Sequence, residues 1–183
     1  VFPQVQFSDD AKAADEWQLT TKSGGGRMKA VGRDGGITGR PAHILIVDDP
    51  IKNRDEAYSP QILSNVKNDF GPNFRTRVQM GGGILIVATQ WSHAELIAHL
   101  IELGQKDPDA DQYEVINLMA IAEDNDPLGR LPGEALAPLL HDIPDLNAIR
   151  ASLNSPLDWE ALYCGRPTPE TGAVFSLADM VFE

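Results

Sequence analysis

Two short apolar runs dominate the hydrophobic pattern of the chain. Residues 44–48 read ILIVD and residues 84–89 read ILIVAT. Neither run alternates with polar positions, so both predict strands buried on both faces, as in a parallel sheet. Between them, Ser59 is suited to cap a helix with Pro60 at its first position. Ile62, Leu63, Val66 and Phe70 then mark one face of that helix. Gly71 and Pro72 interrupt it, and residues 74–78 either continue it or are irregular. A turn is expected at residues 81–83, three consecutive glycines. Ser92 is expected to cap a second helix, with Leu96, Ile97, Leu100 and Ile101 as its apolar residues. A polar loop over 107–111 leads to a third expected strand, YEVINLM, at 113–119. Strand, helix, strand, helix, strand argues for an α/β fold with a largely parallel sheet.

The flanks read differently. Residues 1–7 alternate weakly and suggest a short strand. Residues 16–21 are rich in β-formers (Trp17, Leu19, Thr20, Thr21) and predict another. The glycines at 24–26 suggest a turn, with 27–31 returning as a hairpin partner. A glycine-rich loop, GRDGGITGRP, fills 32–41. Residues 123–145 are rich in Pro, Asp and Gly, residues 145–153 and 156–163 predict short helices, and GRPTPETGAVF at 165–175 reads as an extended linker.

Composition changes this picture little. The chain has 183 residues, 42% hydrophobic and 23% charged, which excludes wholesale disorder and a collagen-like sequence. The longest apolar run, 84–88, is far short of the roughly 20 residues needed to span a bilayer. No signal peptide is visible, so a soluble protein is expected. The single cysteine, Cys164, cannot form an internal disulfide and is expected as a buried thiol, which fits a reducing compartment. The first residue is Val1, so either processing or a piece of a longer protein is expected.

Charge is distributed unevenly. The net charge is −12, yet residues 22–77 hold ten Lys and Arg against six Asp and Glu. An internal basic zone in an acidic chain marks either an anion site or a solvated polar loop.

The strongest candidate chemistry is ILIVDDP at 44–50. A strand of a parallel sheet here ends in two acids, Asp48 and Asp49, at the carboxyl edge where open α/β sheets bind ligands. Adjacent residues on a strand point different ways. One acid can hold the water shell of Mg²⁺ while the other activates a water aimed at a phosphate. Thr89 and Gln90 would emerge at the same edge if the second strand lies beside the first. The glycine-rich loop is not a phosphate loop. It lacks the G-x-x-x-x-G-K-[ST] fingerprint, no Gly-Lys pair occurs in the chain, and the loop leads into a strand instead of a helix. It leaves Arg33 and Arg40 available for phosphate or DNA. Asp107, Asp109 and Asp111 imitate the start of a calcium loop, but Gln112 and Leu118 stand where glycine and glutamate are needed. His43, His93, His99 and His141 lack zinc-ligand spacing.

At ITGRPAHILIVDDPIKNRDEAYS the chain resembles the large terminase subunit of tailed bacteriophages, the motor that packages DNA into capsids. The resemblance continues through GGGILIVATQWSHAELIAHLIE, similar to that family's T-R-W-H-E-D-D-L region, then AIAEDNDPLGRLPGEALAP and DWEALYCGRPTPETGAVF. These ordered blocks cover most of residues 24–175. The resemblance implies a RecA-like P-loop NTPase core of the additional-strand, conserved-glutamate (ASCE) type, truncated at its N-terminal side. Residues 1–163 would be the C-terminal part of the ATPase domain, without the first nucleotide motif. Residues 164–183 would be a linker toward a nuclease domain outside the chain. Asp48 would be the Mg²⁺-associated acid of the Walker B motif, acting through water, and Asp49 the catalytic acid. Thr89 and Gln90 would belong to the motif coupling hydrolysis to DNA movement. Gln90 stands where the family has Arg, and Ser92 where it has His.

ATP and Mg²⁺ are the implied cofactors, in the context of a complete motor domain. The implied partners are double-stranded DNA, the portal protein, a small terminase subunit and other large-subunit copies in a ring, with no membrane. The implied setting is the cytoplasm of an infected bacterial host. Arg33, Arg40 and Arg54 are candidates for contacting phosphate or DNA. Without a phosphate loop, the chain alone is expected to bind ATP weakly and hydrolyse little or none. The alternative is a non-catalytic interaction or regulatory module that retains the motor scaffold.

Overall fold

A computed structural model describes residues 6–13, 15–21, 24–33, 35 and 39–167. The chain divides into two compact units, one ending at Pro41 and the other beginning at Ala42.

The first unit carries an antiparallel sheet in the order β1 (Gln6–Lys12), β2 (Glu16–Thr21), β3 (Gly24–Lys29). β2 has the expected bounds. β1 extends well past residue 7, where the weak alternation ends, and residues 1–5 lie outside the described residues. The glycines at 24–26 do not form the expected turn. They open β3, paired with Thr21, Thr20 and Leu19. A Cβ at Gly25 would meet the Leu19 carbonyl oxygen at 2.1 Å, so the strands approach there as only glycine allows. On this sheet Glu16 accepts from Arg40 at 2.6 Å and lies 3.3 Å from the Lys29 ammonium.

The second unit is mixed α/β, with a small parallel sheet and flanking helices. β4 (Ala42–Asp48) pairs in parallel with β5 (Val78–Val87). The connection contains α1 (Arg54–Ala57), α2 (Pro60–Asp69), a wide helical turn over Phe70–Phe74 and a tight one over Arg75–Arg77. α2 starts as expected, since the Ser59 hydroxyl accepts from the Ile62 N–H at 3.4 Å. Leu63, Val66 and Phe70 are buried. α3 (Leu96–Lys106) follows β5, and its first cap is Glu95, not Ser92. The Ser92 hydroxyl is occupied elsewhere. It donates to the Ala57 carbonyl at 3.3 Å and accepts from the Ala94 N–H at 3.2 Å.

The core joins Ile51, Ala57, Leu63, Val66, Phe70, Leu96 and Leu100, with Val47, Ile84 and Ile86 packed against it from the sheet. The expectation of strands buried on both faces is therefore corrected. Ile44 is 70% exposed, Ile46 55%, Leu85 52% and Val87 49%. The helices cover one face of a sheet of two strands, and the opposite face keeps its apolar side chains in solvent. The glycines at 81–83 are not a turn but lie inside β5. A Cβ at Gly82 would meet the His43 carbonyl oxygen at 2.6 Å, and the β4–β5 register shifts at this point.

The third expected strand does not form. Residues 113–119 are irregular, and Val115 and Ile116 are 60% and 66% exposed. The polar partners of this segment come from α5 instead of the sheet. Asn117 donates to the Cys164 carbonyl at 2.8 Å, and the Ala120 N–H to that of Tyr163 at 2.8 Å.

A second apolar cluster joins Ala135, Leu146, Trp159 and Cys164. It is built from α4 (Ile143–Ser152) and α5 (Pro156–Cys164), each within two residues of its expected bounds at either end. The Cys164 thiol is buried, and burial pushes its pKa up. The linker expected from residue 164 begins docked, because Arg166 pairs with both oxygens of Glu123 at 2.8 Å. Its remainder, 168–183, lies outside the described residues. Among the described residues, no helix is long and apolar enough to cross a membrane.

Candidate functional site

Parallel strands release the chain at a common carboxyl edge, and there the sequence-predicted acids sit. Asp48 ends β4 opposite Val87 of β5. Asp49 follows with φ 42°, a left-handed conformation uncommon outside glycine. Two hydrogen bonds hold it. Its N–H donates to the Val87 carbonyl at 2.9 Å, and its Oδ1 accepts from the Thr89 N–H at 3.1 Å. Asp48, Asp49 and Thr89 are thus brought together where the two strands end.

Asp48 and Asp49 are both exposed. Their chemistry fits a Mg²⁺ ion held largely through water. Such an ion takes one or two carboxylates and completes its octahedron with waters and phosphate oxygens. Among the described residues, no group of three or more His, Cys, Asp and Glu side chains is placed to hold a metal ion.

Gln90 turns back on its own loop, its amide donating to the Ser92 carbonyl at 3.5 Å. The residue that organises this loop is Glu95, which the sequence reading did not single out. Glu95 is 2% exposed, and its Oε1 accepts from the N–H groups of Trp91 at 2.7 Å and Ser92 at 2.6 Å. Burial pushes the carboxyl pKa up and outweighs the two N–H bonds, which pull it down. The signal was in the sequence. Ser92 with Glu95 three residues later is capping-box spacing, and the glutamate half of that box forms.

The candidate arginines are dispersed. Arg33 and Arg40 belong to the first unit, where Arg40 pairs with Glu16 at 2.6 Å. Arg54 belongs to the second. It donates to Asp158 of α5 at 2.6 Å, and its guanidinium lies 5.8 Å from the centre of the Tyr58 ring. Both Arg40 and Arg54 are thus engaged with carboxylates within their own units.

Set against known proteins, the chain matches no family model, no curated protein and no solved structure.

Proposed function

We propose that this chain supplies part of the nucleotide site of a RecA-like, ASCE-type ATPase, in a motor similar to the large terminase subunits that package double-stranded DNA into phage capsids. The observation that carries the reading is the hydrogen bond from the Thr89 N–H to Asp49 Oδ1, which joins the acid after β4 to the chain leaving β5. In such a site Asp48 would hold Mg²⁺ through water, and Mg²⁺–ATP, when bound, would supply the electrophilic phosphorus and neutralise charge on the phosphate oxygens. Asp49 keeps Oδ1 on Thr89 and presents Oδ2 to the attacking water. A change in phosphate occupancy that draws on Asp49 is passed to Thr89 through one bond, which links hydrolysis to movement of the loop held by Glu95. The phosphates themselves need a backbone cradle and a lysine from another stretch of polypeptide. The portal, a small subunit, neighbouring copies in a ring and DNA are the partners this reading implies.

A specific observation favours a second reading, a module that works by contact. The sheet face bearing Ile44, Ile46, Leu85 and Val87 stays open to solvent. Paramagnetic broadening by Mn²⁺ with a non-hydrolysable ATP analogue separates the two. The nucleotide reading expects the amide signals of Asp48, Asp49 and Thr89 to broaden first and Asp48→Asn to abolish the effect. Broadening confined to other acids, such as those at 107–111, would defeat it and leave the contact module.

A further inference from the structure

The second unit holds its apolar side chains in two separate clusters. The first cluster and the residues packed against it run from Val47 to Tyr113 in the chain, the second from Met119 to Cys164. No member is shared, so the burial that stabilises one cluster does not hold it to the other. The chain crosses between them at 114–116. Tyr113 packs on the first cluster, while Asn117 donates to the Cys164 carbonyl at the end of α5. The residues between, Glu114, Val115 and Ile116, have neither helix nor strand and are exposed. Such a stretch of backbone resists rotation weakly.

A side-chain contact bridges the two clusters. Arg54 of α1 donates through Nη1 to Asp158 Oδ1 at 2.6 Å, and Asp158 lies in the first turn of α5. There the carboxylate also faces the positive end of the helix, which favours its charge. The Arg54 guanidinium is steadied on its own side by the Tyr58 ring. The Arg54 side chain is 49% exposed and that of Asp158 18%. A single ion pair so close to solvent is a weak and salt-sensitive tie. Weak attachment beside an open stretch of backbone is what lets one part of a fold move against another. We propose that α4 and α5 form a hinged lobe, which swings about residues 114–116 and is latched to α1 by Arg54 and Asp158. The latch does not rest on the nucleotide reading.

The test is a set of N–H residual dipolar couplings of the 183-residue protein in stretched polyacrylamide gel. In the parent at low salt, one alignment tensor is expected to fit α2, α3, α4 and α5 together. Arg54→Glu sets a carboxylate against Asp158. The couplings of α4 and α5 are then expected to fall about twofold relative to those of α2 and α3, because hinge motion up to the millisecond range averages them. Each pair of helices should still fit a tensor of its own, as a folded variant does. Asp158→Asn, a milder change of the same shape, is expected to shift the ratio in the same direction. Salt separates a latch from packing at position 54. NaCl at about 1 M screens charges beyond roughly 3 Å. It should lower the ratio in the parent by weakening the attraction and raise it in Arg54→Glu by relaxing the repulsion. The proposal is overturned if Arg54→Glu keeps the parent ratio, if the parent itself needs two tensors at low salt, or if salt fails to move the two ratios in opposite directions.

Discussion

Asp49 and Thr89 are locked to each other across the carboxyl edge of the sheet. The Thr89 N–H donates to Asp49 Oδ1 at 3.1 Å, while the Asp49 N–H donates to the Val87 carbonyl at 2.9 Å. Three residues therefore close a small ring around the ends of β4 and β5. That ring holds Asp49 in a left-handed conformation that costs a non-glycine residue about 1–2 kcal/mol. Backbone strain of this kind persists where surrounding bonds over-determine it.

Substitutions at Asp49 separate the strain from the clasp. Asn tolerates the left-handed region and keeps an amide oxygen for Thr89, so Asp49→Asn is expected to stay within about 0.5 kcal/mol of the parent. Asp49→Ala keeps the strain and loses the acceptor, a hydrogen bond worth about 0.5–1.5 kcal/mol. Asp49→Gly loses the acceptor but relieves the strain and should fall between them. Urea unfolding gives the order. If Ala equals Asn, the side-chain bond to Thr89 contributes nothing.

The two faces of the sheet should respond unequally to substitution. Ile46 is 55% exposed, whereas Ile86 on the opposite face packs on the helical core. Ile46→Thr is expected to cost under about 0.5 kcal/mol, as surface changes do. Ile86→Ala is expected to cost about 2 kcal/mol, the low end for a buried aliphatic truncation because Ile86 is only partly buried. Equal costs in denaturant titrations would mean that both faces are covered in solution.

Those same strands show where the sequence was legible. Both apolar runs became strands at the expected places, and the acids fell at their shared edge, because apolar runs of this length and turn-forming neighbours act locally. Helix α2 was legible from Ser59-Pro60, and α4 and α5 formed within two residues of their expected bounds, their caps Asp142 and Ser155 appearing only in the structure. What the sequence could not reveal was the number of layers. An unbroken run of Ile, Leu and Val predicts burial on both faces, but coverage depends on elements elsewhere in the chain. YEVINLM has strand composition, yet Asn117 and Ala120 find their partners on α5, and tertiary context overrides propensity. The glycines at 25 and 82 suggest turns in the sequence because close approach of a neighbouring backbone leaves the same signature as a turn.

The segment 119–134 is held by one internal ion pair. The Asp126 side chain is fully shielded, and Arg130 reaches both of its oxygens as well as the carbonyls of Met119 at 2.8 Å and Glu134 at 3.3 Å. The Arg130 guanidinium holds the Asp126 carboxyl below its usual value of 3.8. A depressed folded-state pKa contributes stability that is complete above the unfolded value and is lost as pH falls through the folded one. Asp126→Asn is thus expected to lower the urea midpoint at pH 7 and to reduce the loss of stability below about pH 4. Arg130→Lys should not substitute, because one ammonium cannot reach the carboxylate and both carbonyls in the geometry of a guanidinium. Unchanged midpoints in both variants would show that the pair does not hold the segment.

Glu95 reverses the sign. Its carboxyl is pushed above the usual value of 4.5, chiefly by burial. A raised folded-state pKa means that the native protein binds the proton more tightly than the unfolded chain does. The contribution is fully present below the unfolded pKa and is lost as pH rises through the folded one. Ionised Glu95 therefore costs stability at neutral pH, although its oxygen still serves the N–H groups of Trp91 and Ser92. Gln in its place keeps an oxygen acceptor and removes the buried charge. The difference in stability between Glu95→Gln and the parent should then favour Gln at pH 7 and shrink as pH falls toward 4.5, whatever other groups titrate in both proteins. Ala removes the acceptor altogether and leaves the Trp91 and Ser92 N–H groups without it, at about 1–3 kcal/mol. It should also loosen the chain that presents the Thr89 N–H to Asp49. Amide exchange at Thr89 reads that loosening directly. Faster exchange in Glu95→Ala with little change in Glu95→Gln places the control of the strand-end clasp in the acceptor oxygen, whereas equal exchange in all three proteins would detach Glu95 from Asp49 and Thr89.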